Sequence, residues 1–205
     1  MPNSIFDYIG NLDTLLAVIV GACLATGGAL VAEIIQDRLG RRRKQRDSAR
    51  FFGEIITSLD QLFDQALASR TQGDSWGSYT VRLFDVARVE AETYIRNRER
   101  LFDIGDMNLR FAIHGHILRF SLPIADLVDR SHKIAALQDR LEEESEGLSE
   151  TARKAIEGRI ERLSSYRDGG FAIAAEQRAE SAKVLAQLEQ IAGTRFEAKY
   201  QTPSA

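Results

Sequence analysis

From Leu15 to Ile35 the chain reads LLAVIVGACLATGGALVAEII, twenty-one residues whose only charge is Glu33. A helix over residues 14–35 is about 33 Å long at 1.5 Å per residue, which matches a hydrocarbon core of about 30 Å. A buried helix of a soluble domain normally keeps a polar stripe. Here Thr26 is the single hydroxyl between Leu15 and Glu33. A secretory signal starts with a positive segment, whereas MPNSIFDYIGNLD carries Asp7, Asp13 and no basic side chain. The pattern predicts a transmembrane helix over 14–35, preceded by a short extracytoplasmic segment over 1–13.

The remaining pattern is helical throughout, and the expected fold class is all-α: one membrane helix followed by a bundle with a long antiparallel, coiled-coil-like hairpin. Residues 36–50 form a basic juxtamembrane segment, 51–192 a cytoplasmic helical domain and 193–205 a flexible tail. In 51–70, Ile55, Leu59, Leu62, Phe63, Ala66 and Leu67 recur at three- and four-residue spacing and make one apolar face. Gly40 and Gly53 are the expected bending points if this helix does not simply continue the membrane helix. TQGDSWGS over 71–78 is a loop by its turn residues, with Trp76 either folded back on the bundle or at the interface. A second helix is expected from Tyr79 to about Ile104, offering Leu83, Phe84, Ala87, Tyr94 and Leu101 for burial, with Gly105 and Asp106 ending it.

The hairpin seam is the clearest repeat. Ile113, Phe120, Leu127, Ile134 and Leu141 are spaced by sevens, and Ile117 and Ile124 occupy the companion position. That companion position decays to Ser131 and Gln138, so the tight core is expected in the first half. Pro123 predicts a kink, or a boundary near Ser121, because it removes a backbone hydrogen bond. Gly147 can close this helix and Ser149 can cap the next. The last helix, about 150–192, returns antiparallel on Ile156, Ile160, Leu163, Phe171, Leu185, Leu188 and Ile191, with an interruption expected at Asp168, Gly169 and Gly170, where a bend could face Pro123.

Charge changes the picture by its distribution. The net charge is only −3, yet no Lys or Arg precedes Arg38, and Arg38, Arg41, Arg42, Arg43, Lys44, Arg46 and Arg50 follow the apolar stretch directly. Basic flanks stay on the cytoplasmic side, so the N-terminus is expected outside and the C-terminus inside, in a membrane of the bacterial inner-membrane kind. The same cluster lies where it can meet anionic lipid. A periplasmic bundle would contradict this flank. From Phe51 onward there are 20 basic against 25 acidic residues, which argues against nucleic acid as a partner. Glu33 is expected either to snorkel to the interface or to lie within reach of Arg38 or Arg41.

Within the span, Ala17, Gly21, Ala25 and Ala29 recur at intervals of four, with Gly28 and Ala32 on an adjoining strip. Such ladders let two helices approach closely in lipid, so pairing with itself or with another membrane protein is an expected use. Cys23, the only cysteine, sits mid-span as a small apolar filler. His114 and His116 point about 200° apart on a helix and cannot share a metal, and His132 with Asp129 lacks further ligands. No phosphate-binding glycine loop or nucleophile elbow occurs, so neither catalysis nor a cofactor is expected. The expected function is interaction: a single-pass scaffold, adaptor or assembly subunit presenting its bundle to an unknown cytoplasmic protein. The alternative is an oligomeric membrane effector or transducer that couples the bundle to the span.

Overall fold

The computed structural model describes residues 5–73, 75–144 and 147–196, with side chains from Leu16 onward. Residues 1–4 of the expected N-terminal segment over 1–13, and residues 197–205 of the expected tail over 193–205, lie outside the described residues. Four α-helices follow one another: α1 (Ile5–Thr71), α2 (Ser78–Arg96), α3 (Met107–Glu143) and α4 (Glu150–Ala192), with a 3-10 helix (Arg98–Asp103) between α2 and α3. Among the described residues there is no strand. The chain divides into two compact units, Met1–Lys44 and Gln45–Ala205.

The first unit is helical, and from Leu16 to Lys44 every side chain is exposed. α1 contains, near the N-terminus, a stretch long and apolar enough to cross a membrane, and none of that stretch is buried. A core helix of a soluble protein has its apolar side chains covered; these are not.

The second unit is a packed bundle whose core draws on all four helices. From α1 it takes Ala49, Phe52, Ile55, Ile56, Leu59, Phe63 and Ala66. The buried stripe therefore begins earlier than the expected face, and Leu67 falls off it at 43 % exposure. Gly40 and Gly53 lie inside the continuous α1, which runs on through both. Gly53 serves packing instead, since a Cβ at this position would stand 2.1–2.5 Å from three atoms of the Phe196 ring. The backbone N–H of Phe196 also donates to Glu189 Oε1 at 2.8 Å. The chain just after Gly193 is thus docked, in contrast to the loose tail expected there.

This contact gives a sign-reversing prediction. Alanine at 53 gains helix propensity of about 1 kcal/mol but forfeits most of the burial of one phenylalanine, about 1.5–3 kcal/mol, so Gly53→Ala should destabilise. In a Phe196→Ala background the same substitution should stabilise by about 1 kcal/mol. Urea titrations of the four proteins check this; the same sign in both backgrounds would show that the ring does not sit on Gly53.

α2 ends at Arg96 rather than near Ile104. Asn97 leaves helical geometry (φ −121°, ψ 19°) and its Nδ2 donates to the Thr93 carbonyl at 2.8 Å. The tighter 3-10 coil that follows delivers Ile104 fully buried into the core. Asp106 begins α3 as its N-cap, accepting from the N–H groups of Asn108 and Leu109.

α3 runs unbroken through Pro123, so no boundary falls at Ser121. Ile117 and Phe120 before the proline and Ile124 and Leu127 after it are all buried, and this packing holds the helix across the missing hydrogen bond. Ile113 and Ile134 are buried as well, while Leu141 is half-buried and Gln138 exposed, so burial fades toward the far end. Ser149 caps α4 through its Oγ, which accepts from Ala152 N–H.

α4 is continuous through Asp168, Gly169 and Gly170, where an interruption was expected. It lies antiparallel against α3: His116 meets Ser181, Pro123 meets Gly170, and Arg130 meets Tyr166. Gly170 is buried, with the Pro123 carbonyl oxygen 3.6 Å from where its Cβ would stand. Gly170 thus faces Pro123, as expected, but without a break in the helix, and a Cβ at 3.6 Å would be in ordinary van der Waals contact. The buried face of α4 is Arg167, Gly170, Ala174, Ser181, Val184, Leu188 and Ala192. Of the apolar residues expected on it, only Leu188 is fully buried; Ile156, Ile160, Leu163, Phe171, Leu185 and Ile191 are half-covered.

Candidate functional site

The bundle contains a chain of hydrogen bonds that crosses from α4 through α3 to α1. Ser181 is wholly buried, and its Oγ lies 2.7 Å from Asp60 Oδ1 and 3.1 Å from His116 Nε2. His116 Nδ1 lies 2.6 Å from Gln177 Nε2. A carboxylate accepts only, an amide nitrogen donates only, and a hydroxyl has one proton to give. These rules fix the direction: Gln177 donates to His116 Nδ1, His116 Nε2–H donates to Ser181, and Ser181 donates to Asp60. The imidazole is neutral with its proton on Nε2.

Electrostatics agree with this assignment. Burial, with lesser help from the Arg119 cation, pushes the His116 pKa down to about 4. Burial likewise pushes Asp60 up to about 6, against the Ser181 hydrogen bond and the Arg178 cation. Arg178 bridges Asp60 at 3.2 Å and Asp64 at 2.7 Å, closing the network at its solvent edge.

Serine, histidine and aspartate are brought together here, but in the wrong order for a nucleophile. In a hydrolytic triad histidine stands between serine and the acid and takes the serine proton. Here serine stands in the middle and its proton points to the acid. The arrangement ties three helices together by fully matched polar groups, which favours one packing of the bundle over its alternatives.

A second cluster pins the loop after α1. Trp76 folds back on the bundle, its Nε1–H donating to Asp168 Oδ1 at 2.8 Å. The Arg70 guanidinium is 4.1 Å from the Trp76 ring centre and 3.9 Å from that of Phe171, and Arg167 lies 4.2 Å from Trp76. Asp168, expected to help interrupt α4, thus anchors the loop instead. A cleft of about 800 Å³ opens beside this cluster, lined in part by Tyr79, Arg82, Ser131, His132, Ser164 and Arg167. His132 lies on this cleft wall, and among the described residues no three His, Cys, Asp or Glu side chains come together as a metal set.

The other expected site residues are placed as follows. Ala17, Ala25, Ala29 and Ala32 are exposed in the single chain, and the space around Gly21 and Gly28 is open. Cys23 is exposed. Arg38, Arg41, Arg42, Arg43, Lys44, Arg46 and Arg50 are all exposed. Arg41 pairs with Asp37 at 2.8 Å, not with Glu33. A third feature escaped the sequence reading: Phe102, Met107 and Phe111 stand 78 %, 60 % and 67 % exposed around a hollow of about 410 Å³.

Asp60 and His116 carried a legible signal, because each interrupts an apolar helical stripe, between Ile56 and Phe63 and between Ile113 and Phe120. Nothing in the sequence paired them with Ser181. Comparison with protein-family models, with curated protein sequences and with solved structures finds no match.

Proposed function

We propose that this chain is a single-pass membrane protein, of the bacterial inner-membrane kind, whose cytoplasmic helical bundle serves as an interaction module: a scaffold, adaptor or assembly subunit. The observation that carries the reading is the contrast along α1. Its apolar stretch near the N-terminus has no residue covered, whereas its continuation from Ala49 onward supplies the bundle core. Twenty residues of exposed apolar helix are at equilibrium in lipid and not in water. The cytoplasmic placement rests on the basic residues Arg38 to Arg50 after the span and their absence before it. Binding, not catalysis, is the reading because Ser181, His116 and Asp60 are hydrogen-bonded to one another in an order that does not activate the serine.

Alkaline carbonate extraction of membranes, with a topology reporter fused after Ala205, tests this directly. The protein should stay in the membrane pellet with a cytoplasmic reporter; release into the supernatant would overturn the span, and a reporter on the far side would overturn the orientation. The oligomeric effector reading draws on the small residues with open space around Gly21 and Gly28. It requires a Cys23 crosslink in membranes that Gly21→Leu abolishes.

A further inference from the structure

Phe102, Met107 and Phe111 leave an apolar surface at one end of the bundle. We propose that this end of the bundle docks onto the anionic head-group layer of the same membrane that holds the span, an inference that rests on the membrane reading above.

The lining argues for lipid. The hollow is formed by Leu101, Phe102, Met107 and Phe111 with Arg98, Arg110 and His114, and no carboxylate lines it. Among the described residues neither arginine forms an ion pair, and the Nε of Arg110 is buried with no hydrogen-bond partner. The acids nearby are engaged elsewhere or outside the hollow: Asp103 accepts from Ser48 at 2.9 Å, Asp106 caps α3, and Glu99 is exposed in the 3-10 helix. Aromatic and thioether side chains that reach the acyl boundary, rimmed by guanidinium groups at phosphate level, are the combination an anionic interface accepts.

Chain connectivity argues for the same membrane. The Ser48 to Asp103 hydrogen bond, and Gln45 Nε2 at 3.8 Å from the Cβ position of Gly105, place this surface at the end of the bundle where α1 enters it. Arg46 and Arg50 are exposed at that end. Leu39 is the last large exposed apolar residue of the N-terminal unit, and the six residues from it to Gln45 reach at most about 20 Å. A head-group layer is about 5–8 Å deep on each side of the hydrocarbon core, and a link this short keeps the residues that begin the bundle within reach of it. Tethering at such a distance makes a weak surface affinity sufficient, because the effective concentration is high.

The test uses the full chain with Cys23→Ser and Phe111→Cys, labelled at the new thiol with an environment-sensitive fluorophore and reconstituted into phosphatidylcholine vesicles with or without phosphatidylglycerol. With phosphatidylglycerol the emission should shift to the blue and be quenched by brominated acyl chains. Arg98→Gln and Arg110→Gln should each lower the docked-to-free ratio about five-fold, and high salt should act in the same direction. Far-UV circular dichroism confirms that each variant is folded. A label that stays water-exposed in both lipids, on protein that resists carbonate extraction, overturns the docking and leaves the membrane span standing. A label shielded equally in both lipids and not quenched by bromine identifies a protein occupant, such as a second copy, and also overturns it. Protein released by carbonate removes the docking together with the proposed function.

Discussion

An Asp60→Asn variant should lose stability steadily as the pH falls from about 6.5 to 4, on a scale of about 3 kcal/mol, while the parent protein stays nearly flat over that window. Two opposed linkages produce the flat profile. Burial raises the folded-state pKa of Asp60 to about 6 from 3.8, so between these values the folded state holds a proton that the unfolded chain lacks, and acidification stabilises. Burial lowers that of His116 to about 4 from 6.5, so there the unfolded chain holds a proton that the folded state refuses, and acidification destabilises. The shifts are of similar size and opposite sign. Asparagine at 60 leaves only the histidine contribution, and His116→Asn leaves only the aspartate contribution, with stability rising as the pH falls below 6. Urea midpoints across this range, in a mild non-ionic detergent, check both. The groups facing the pair, Arg178 and Asp64 beside Asp60 and Arg119 and Glu180 beside His116, are unchanged in either variant. Parallel profiles for all three proteins would show that the buried network does not hold the two groups as described.

Phe63→Ala should cost the bundle about 3–5 kcal/mol, the usual loss for a fully buried aromatic. Phe63 sits where all four helices meet. Its ring lies edge-on to Phe84 and Phe120 at 6.0 and 5.7 Å and stacks on Phe171 at 5.2 Å. Truncating it removes a contact with each of the other three helices, and the neighbours cannot all collapse into one void. Such a loss is a large fraction of the stability of a domain this size. On the reading that the apolar stretch is a membrane span, the cost falls on the bundle alone. The variant should still pellet with carbonate-washed membranes while its bundle becomes sensitive to protease. A variant that remains as protease-resistant as the parent would overturn the central role of this ring.

Much of the helical layout was legible because it is local. The seven-residue spacing from Ile113 to Ile134 falls on the buried face of α3, and Ser149 caps α4 where its position before a helical run indicated. The expected end of α4 at Ala192 is observed, with Gly193 in the left-handed conformation (φ 65°) that glycine adopts without a Cβ penalty. Residues read as breakers misled where burial outweighed propensity. Propensity predicts a boundary near Pro123 and an interruption at Gly170, yet both helices are continuous there, and the two residues face each other as their positions suggest. Leu67 was placed in the core by spacing alone, yet the neighbouring helices cover a stripe that misses it. The face of α4 was misjudged for a related reason: where two backbones approach closely, small and polar side chains are buried and the large apolar ones flank the contact.

The sequence by itself determined that this chain is helical, that residues 14–35 carry a stretch of membrane length, and that the first basic residues follow it. These properties depend on composition and on spacing within a few turns, and no distant residue alters them. The tertiary structure alone decided which polar residues are structural. Asp60, His116 and Ser181 are separated by 56 and 65 positions and belong to three helices. Their proton order, their opposed pKa shifts and their burial arise only when packing excludes water around them. It likewise gathered Phe102, Met107 and Phe111 into one exposed surface, because the 3-10 turn after Asn97 folds against the first turns of α3 and leaves these side chains uncovered.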